Sequence, residues 1–423
     1  MSGATPSDAR PLPYAGIRVV EFTHMIMGPS CGMVLADLGA EVIKVEPLKG
    51  DNTRRIPGSG AGFFAVFNRN KKSLAVDMDD PRGREVVLKL VVTADIFSEN
   101  FKDGNMKKLG LDYASLSALN ERLIYVSHKG FLSGPYDHRT ALDEVVQMMG
   151  GLAYMTGPEG QPLRAGASLN DIMGGMFGAM GAMAALRDRE RTGRGQEVQS
   201  ALFENNVFLM APHMMQFAVT EKAAKPMPSR ISAWGIYDVF TLANGEQIFL
   251  AVVSNTQWLI FCDLFGLDDL KPDERLSTNA GRVEAREWLM PILRERLGGR
   301  TAAEVAQMFE RVGLPYAPIT KPHELFADPH LLASGGLAPI AVPADCSGAG
   351  KVIDTSTPLL PLTLDGVRPG IRLNPPSLGH DTREILLALG YTAAEVDAMV
   401  ADKVVGAASP EQSVVARSKA GGA

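Results

Sequence analysis

The residue of this sequence best suited to chemistry is Asp171, in the stretch G-A-S-L-N-D-I-M-G-G. Polar Ser168 and Asn170 lead into the apolar run Ile172 to Leu186, a pattern that predicts a helix start with capping side chains. A carboxylate there feels the positive end of the helix dipole, so it is expected to stay ionised and to serve as a nucleophile. Behind it, Gly174, Gly175, Gly178 and Gly181 each cost about 1 kcal/mol relative to Ala in a helix interior. Such a stripe marks a close approach, either by a neighbouring helix or by a ligand. Taken alone, Asp171 reads at least as well as a plain helix cap.

The remaining charged groups narrow the ligand class. Net charge is −6 over 423 residues, and no long basic stretch occurs, which argues against nucleic acid as a partner. Local cations (Arg54-Arg55, Arg69 with Lys71 and Lys72, Lys107-Lys108) leave room for a small anionic ligand. Cys31, Cys262 and Cys346 are widely spaced with no Cys-x-x-Cys, so neither a disulfide framework nor a metal site is expected. The start of the chain is polar and Pro-rich, and the run after Asp171 is shorter than the ~20 residues a bilayer requires. A cytoplasmic protein without membrane association is the expectation.

The elements that must position Asp171 follow from periodicity. Strands are predicted at Ile17–Phe22, Glu41–Val45, Ser73–Val76, Asp95–Ser98 and Leu123–Ser127. Helices between them begin at Pro29 and Pro81. This alternation predicts an α/β fold, a large domain with a Rossmann-like, open parallel sheet. Gly58-Ser-Gly-Ala-Gly62 lacks the strand-to-helix context of a dinucleotide loop, so it is assigned to a flexible loop and NAD is not expected. A Pro/Lys linker around Ala223–Arg230 opens a small α+β domain over 223–330, with a hairpin at Ala233–Phe240 and Gln247–Val253. Its helices are predicted at Asn255–Phe265, Gly281–Leu297 and Ala302–Val312. Large-domain segments then cover 14–222 and 331–405, including a helix at Thr382–Leu389, with flexible ends at 1–13 and 406–423.

Several collinear motifs go beyond composition. They are G-I-R-V-V-E-F-T-H-M-I-M-G-P, A-D-L-G-A-E-V-I-K-V-E-P, G-D-N-T-R, F-N-R-N-K-K-S-L-A-V-D and S-E-N-F-K-D-G-N-M-K-K-L-G. S-G-P-Y, A-L-D-E-V-V-Q-M-M-G-G-L, L-N-D at Asp171 and R-T-G-R-G-Q-E-V follow in order. In these segments the chain resembles the family III CoA-transferases, the group that includes formyl-CoA transferase, carnitine CoA-transferase and α-methylacyl-CoA racemase. The resemblance implies a homodimer of interlocked chains, with coenzyme A thioesters as substrates and no permanently bound cofactor. It makes Asp171 the nucleophile that attacks a donor thioester, giving a mixed anhydride and then an aspartyl-CoA thioester that the acceptor acid enters.

The same resemblance implies CoA contacts at Met25, Ile26 and Met27 in the first loop, and at Val76 and Asp77 after the third strand. Asn100 and Phe101 would lie under the pantetheine or adenine, with Lys108 facing the phosphates. Arg54 and Arg139 are further candidate cations, and Asp143 of A-L-D-E-V joins the set. Racemases of this family carry a His before that aspartate; here Leu142 stands there and cannot move a proton, which favours transfer. An acyl-CoA racemase is the alternative, and a non-catalytic CoA-binding protein a more distant one. For acids, a succinyl-CoA-type donor and a small carboxylic, dicarboxylic or sulfinic acceptor are expected, with His213, Arg230 and Arg164 as candidate partners of a second acidic group.

Overall fold

Short runs, β-branched in all but the last, build six parallel strands in the first part of the chain, and the computed structural model describes residues 11–102, 104–230 and 232–408. In chain order the elements that matter here are β1 (Arg18–Phe22), α1 (Met27–Asp37), β2 (Glu41–Glu46), β3 (Lys71–Val76), α2 (Pro81–Val92), β4 (Ile96–Glu99) and β5 (Ile124–Lys129). They are followed by α3 (Asp143–Met149), α4 (Leu169–Thr192), β6 (Glu197–Ala201) and α5 (Leu202–Thr220). The strands order as β3-β2-β1-β4-β5-β6, with Val19 of β1 registered between Val42 and Ile96. Winding runs outward from β1 to β3, then resumes on the other side of β1 at β4. The carboxyl ends of β1 and β4 therefore flank the switch point, where open α/β sheets bind ligands.

Apolar side chains of both faces make the core. Val20, Ile43, Leu74, Phe97 and Tyr125 pack with Val86, Val87 and Leu90 of α2 on one face. Val19, Val42, Ile96 and Val126 pack with Leu35 of α1 and Ala179 and Ala182 of α4 on the other.

The chain divides into two units, one being Ala224–Asp328 and the other comprising the residues on either side of it. The smaller unit contains β7 (Ile236–Thr241), β8 (Gln247–Val252), α6 (Asn255–Phe265), α7 (Arg286–Leu297), α8 (Ala302–Val312) and β9 (Tyr316–Pro318). Its antiparallel sheet, β7-β8-β9, packs on a core that includes Trp258, Phe261 and Phe309. The single helix predicted over Gly281–Leu297 is two, because Ala285 closes the turn Asn279–Glu284 before α7 begins.

The returning chain forms a two-stranded ribbon, β10 (Leu337–Val342) with β11 (Ile353–Pro358), then α9 (Thr382–Ala388), α10 (Ala393–Ala401) and β12 (Val405–Gly406). β12 pairs antiparallel with β3 and so completes a seven-stranded sheet. Several elements lie outside the sequence expectation, α3, β9 and β12 among them. β6 is short and polar, α5 carries Pro212 in its interior, and α10 opens on a Thr392–Glu395 capping box. The predicted flexible ends fall mostly outside the described residues. No helix among the described residues is long and apolar enough to cross a membrane.

Candidate active site

The loops after β1 and β4 meet at the switch point. Asn100 holds them together with a two-bond clasp: its Oδ1 accepts from the His24 amide at 3.0 Å and its Nδ2 donates to the His24 carbonyl at 2.8 Å. The Phe101 ring lies against that of His24, with centroids 5.1 Å apart. Met25 takes a left-handed conformation, φ 62°, which costs a non-glycine residue about 1 kcal/mol or more. Its amide is held by Thr53 Oγ1 at 2.9 Å, and Thr53 Oγ1 in turn donates to Asp51 at 2.8 Å. Lys44 fixes the loop from beneath, donating to the Thr23 carbonyl at 2.6 Å and pairing with Asp51 at 3.0 Å. Met25 is exposed at the tip, whereas Ile26 and Met27 are buried.

The glycine stripe of α4 docks on this loop. A Cβ at Gly174 would sit 2.3 Å from Met27 Cε, and one at Gly175 would sit 2.5 Å from the Met27 carbonyl oxygen. Further along, Gly178 faces the buried His128 ring and Gly181 faces Val198. Close packing of α4 on α1, β5 and β6, rather than a ligand path, accounts for these four glycines. The packing places the first turn of α4 beside the switch-point loop.

That first turn begins at Leu169, and Ser168 at the cap position makes no side-chain capping bond. The expected capping by Ser168 and Asn170 is therefore corrected. The cap comes from Asp143 at the start of α3, whose Oδ1 accepts from the Asn170 amide at 2.8 Å and the Asp171 amide at 3.4 Å. Its other oxygen, Oδ2, accepts from Gln147 Nε2 at 2.6 Å, and Gln147 Oε1 accepts from the Ala165 amide at 2.8 Å. Arg164 completes the group, with Nη2 3.6 Å from Asp143 and Nη1 2.8 Å from Glu144.

Asp171 thus shares its helix terminus with a second carboxylate. Burial pushes its carboxyl up to about 7, the Asp143 charge acts in the same direction, and Arg164 opposes both. This corrects the expectation that the helix start alone keeps Asp171 fully ionised. The amide groups of that turn are bound by Asp143, so the field that would favour a charge on Asp171 is already answered by a neighbouring one. A carboxylate half ionised near neutrality is more basic, and hence more nucleophilic, than an exposed one.

The other sequence candidates separate into two sets. Asn100, Phe101, Met25 and Met27 gather at the switch point, and Asp143 adjoins Asp171. Val76 lies in the apolar core, and half-buried Asp77 closes a turn by accepting from the Asp79 amide at 3.0 Å. Lys108 is exposed on the short helix Asn105–Leu109, and exposed Arg139 stacks over Tyr136 at 4.2 Å. Arg54 is corrected from a free cation to a buried structural one. Its guanidinium grips Glu46 through bonds of 2.7 and 2.8 Å, reaches Asp345 at 3.1 Å and lies 3.9 Å over the Phe64 ring. Gln147 was not singled out in the sequence; its spacing of four from Asp143 on one helix face is the signal that could have found it.

The fold is a Rossmann-like α/β sheet, with the basic carboxylate of Asp171 beside its switch-point loop. The match to the CoA-transferase family III model over residues 14–382 places the chain in that family. The chain is 32% identical over 401 residues to succinyl-CoA:glutarate CoA-transferase of Mus musculus, covering 93% of this chain and 90% of that protein. It is 33% identical over 361 residues to acetyl-CoA:oxalate CoA-transferase of Acetobacter aceti, covering 82% and 92% respectively. Among solved structures, a CAIB/BAIF family protein from Brucella suis superposes with a TM-score of 0.80 at 32% identity, covering 90% of this chain and all of that one. The protein is a family III CoA-transferase.

Proposed function

We propose that Asp171 is the nucleophile of a CoA transfer from a succinyl-CoA-type donor to a small dicarboxylic acid. The observation that carries this reading is the placement of a basic carboxylate at the start of α4, on the helix docked against the switch-point loop. The Asp171 carboxylate attacks the donor thioester carbon, forming a mixed anhydride and expelling CoA thiolate. The thiolate attacks the aspartyl carbonyl of that anhydride, releasing the donor acid and leaving an aspartyl-CoA thioester. The acceptor carboxylate attacks that thioester in turn, and the thiolate then takes the new acyl group, restoring Asp171. No proton is consumed, and the activation is held on the Asp171 carbonyl between release of the donor acid and entry of the acceptor.

In this reading CoA lies along the loops of Met25, Asn100 and Phe101, and the exposed cations Lys108 and Arg139 are available to its phosphates. The acceptors named for the two relatives, glutarate and oxalate, are both dicarboxylates and support that class. Leu142, exposed before Asp143, offers no group for proton transfer at an α-carbon, which favours transfer over racemisation. A homodimer, as the family resemblance implies, is part of this reading. Exposed apolar side chains on α3, α4 and α5, among them Met148, Met176, Phe208 and Phe217, support a covered surface there.

The test is mass spectrometry of protein incubated with succinyl-CoA, reduced with borohydride and digested. Modification confined to the Asp171 peptide and absent from Asp171→Ala is expected. An unmodified Asp171 peptide under conditions where CoA binds would contradict the reading.

A further inference from the structure

Resting on the transfer reading above, we infer that Arg164 recognises the distal carboxylate of a dicarboxylic acyl group or acceptor acid. Three cations were candidates for that role on sequence. Arg230 belongs to the other unit, where it bonds to the Met227 carbonyl, and His213 sits half-buried on α5. Arg164 alone of the three pairs with Asp143 and acts electrostatically on Asp171.

Its present partners leave the guanidinium fork available. Nε donates to the Ala165 carbonyl at 3.1 Å, which anchors the base of the side chain. The approach to Asp143, 3.6 Å, is an ion pair without a hydrogen bond. The one short contact at the tip is to Glu144, and the two side chains are 36% and 60% exposed. Exposed pairs of this kind contribute little, so a substrate carboxylate can replace Glu144 at small cost.

The need for such a cation is electrostatic. Asp143, Glu144 and Asp171 crowd this end of α3 and α4, and an incoming diacid adds a second negative charge beyond the one that reacts. A planar fork can accept that distal carboxylate through two parallel bonds, which a lysine cannot match. A monocarboxylic acid of equal length has nothing for the fork to hold. Selectivity for diacids over monoacids is therefore the property Arg164 controls.

The test compares kcat/KM for succinyl-CoA with glutarate against butyryl-CoA with valerate. In wild type the diacid pair is expected to be preferred. Arg164→Gln should reduce that preference about 100-fold, and Arg164→Lys should restore part of it. Glu144→Gln, which frees the fork, should lower KM for glutarate severalfold and KM for valerate by less. Equal losses with both acid pairs in Arg164→Gln would reduce Arg164 to a structural partner of Asp143 and overturn the inference. So would a wild type without diacid preference, or an Arg164→Gln variant that keeps it. A wild type that transfers no acid at all would instead overturn the transferase reading itself.

Discussion

Two regions of the large unit concentrate charge, and they handle it in opposite ways. Beneath the switch-point loop, Glu21, Lys44, Lys71, Glu46 and Arg54 are fully buried and matched cation to carboxylate. Lys71 alone bonds both oxygens of Glu21, at 2.9 and 2.8 Å, as well as the Pro29 carbonyl at 3.0 Å. At the start of α4, Asp143 caps the Asp171 amide and adds to the burial that raises the pKa of the Asp171 carboxyl, with one partly exposed arginine beside Asp143. Matched charges make a scaffold that holds loop geometry. Burial among crowded, under-matched carboxylates instead raises the pKa of Asp171, the nucleophile in the proposed transfer. Burial is common to both regions, so burial of charge does not by itself mark a candidate site; the imbalance is what distinguishes this one.

The largest expected effect separates the two roles. Asp171→Ala should lower CoA transfer by about a thousandfold or more while far-UV circular dichroism stays unchanged. Lys71→Met should do the reverse, acting on stability. It leaves Glu21 with Lys44 alone, 3.9 Å away and without a hydrogen bond, and urea unfolding should show a loss of about 3–5 kcal/mol. If Lys71→Met proved neutral in stability, the buried network would not be the scaffold described here.

The pH dependence of stability sharpens the contrast. A carboxyl raised from 3.8 to about 7 in the folded protein binds its proton more tightly than in the unfolded chain. Its charge therefore costs nothing below pH 3.8, and the cost grows as pH rises and is complete above about 7. Asp171→Ala should be progressively stabilised relative to wild type between pH 4 and 7, by about 2–4 kcal/mol at the upper end. Thermal denaturation across that range measures it. The smallest effect is expected for Asp345→Ala, because Asp345 is 37% exposed and Arg54 keeps Glu46. Its loss should stay below about 1 kcal/mol.

The sheet was legible in the sequence because β-branched runs such as Val19-Val20 and Val42-Ile43 recur between Pro-initiated helices. Strand β6 was not, since E-V-Q-S-A is too polar to announce itself and is fixed by pairing with β5 and packing under α4. Helix α5 was obscured by Pro212. Asp171 itself was legible from its position, but its ionisation was not. That property depends on Asp143, 28 residues away, whose carboxylate caps the turn through space. Arg54 misled for the same reason, because Glu46 and Asp345 surround it only in the folded chain.

The most direct test follows single-turnover acylation of Asp171 by succinyl-CoA as a function of pH, read as the adduct on its peptide. The rate should rise with pH to a half-maximum near 7, and Asp143→Asn should move that midpoint downward. A rate independent of pH from 5 to 9, or a midpoint unmoved by Asp143→Asn, would contradict the claim that a neighbouring carboxylate tunes the nucleophile.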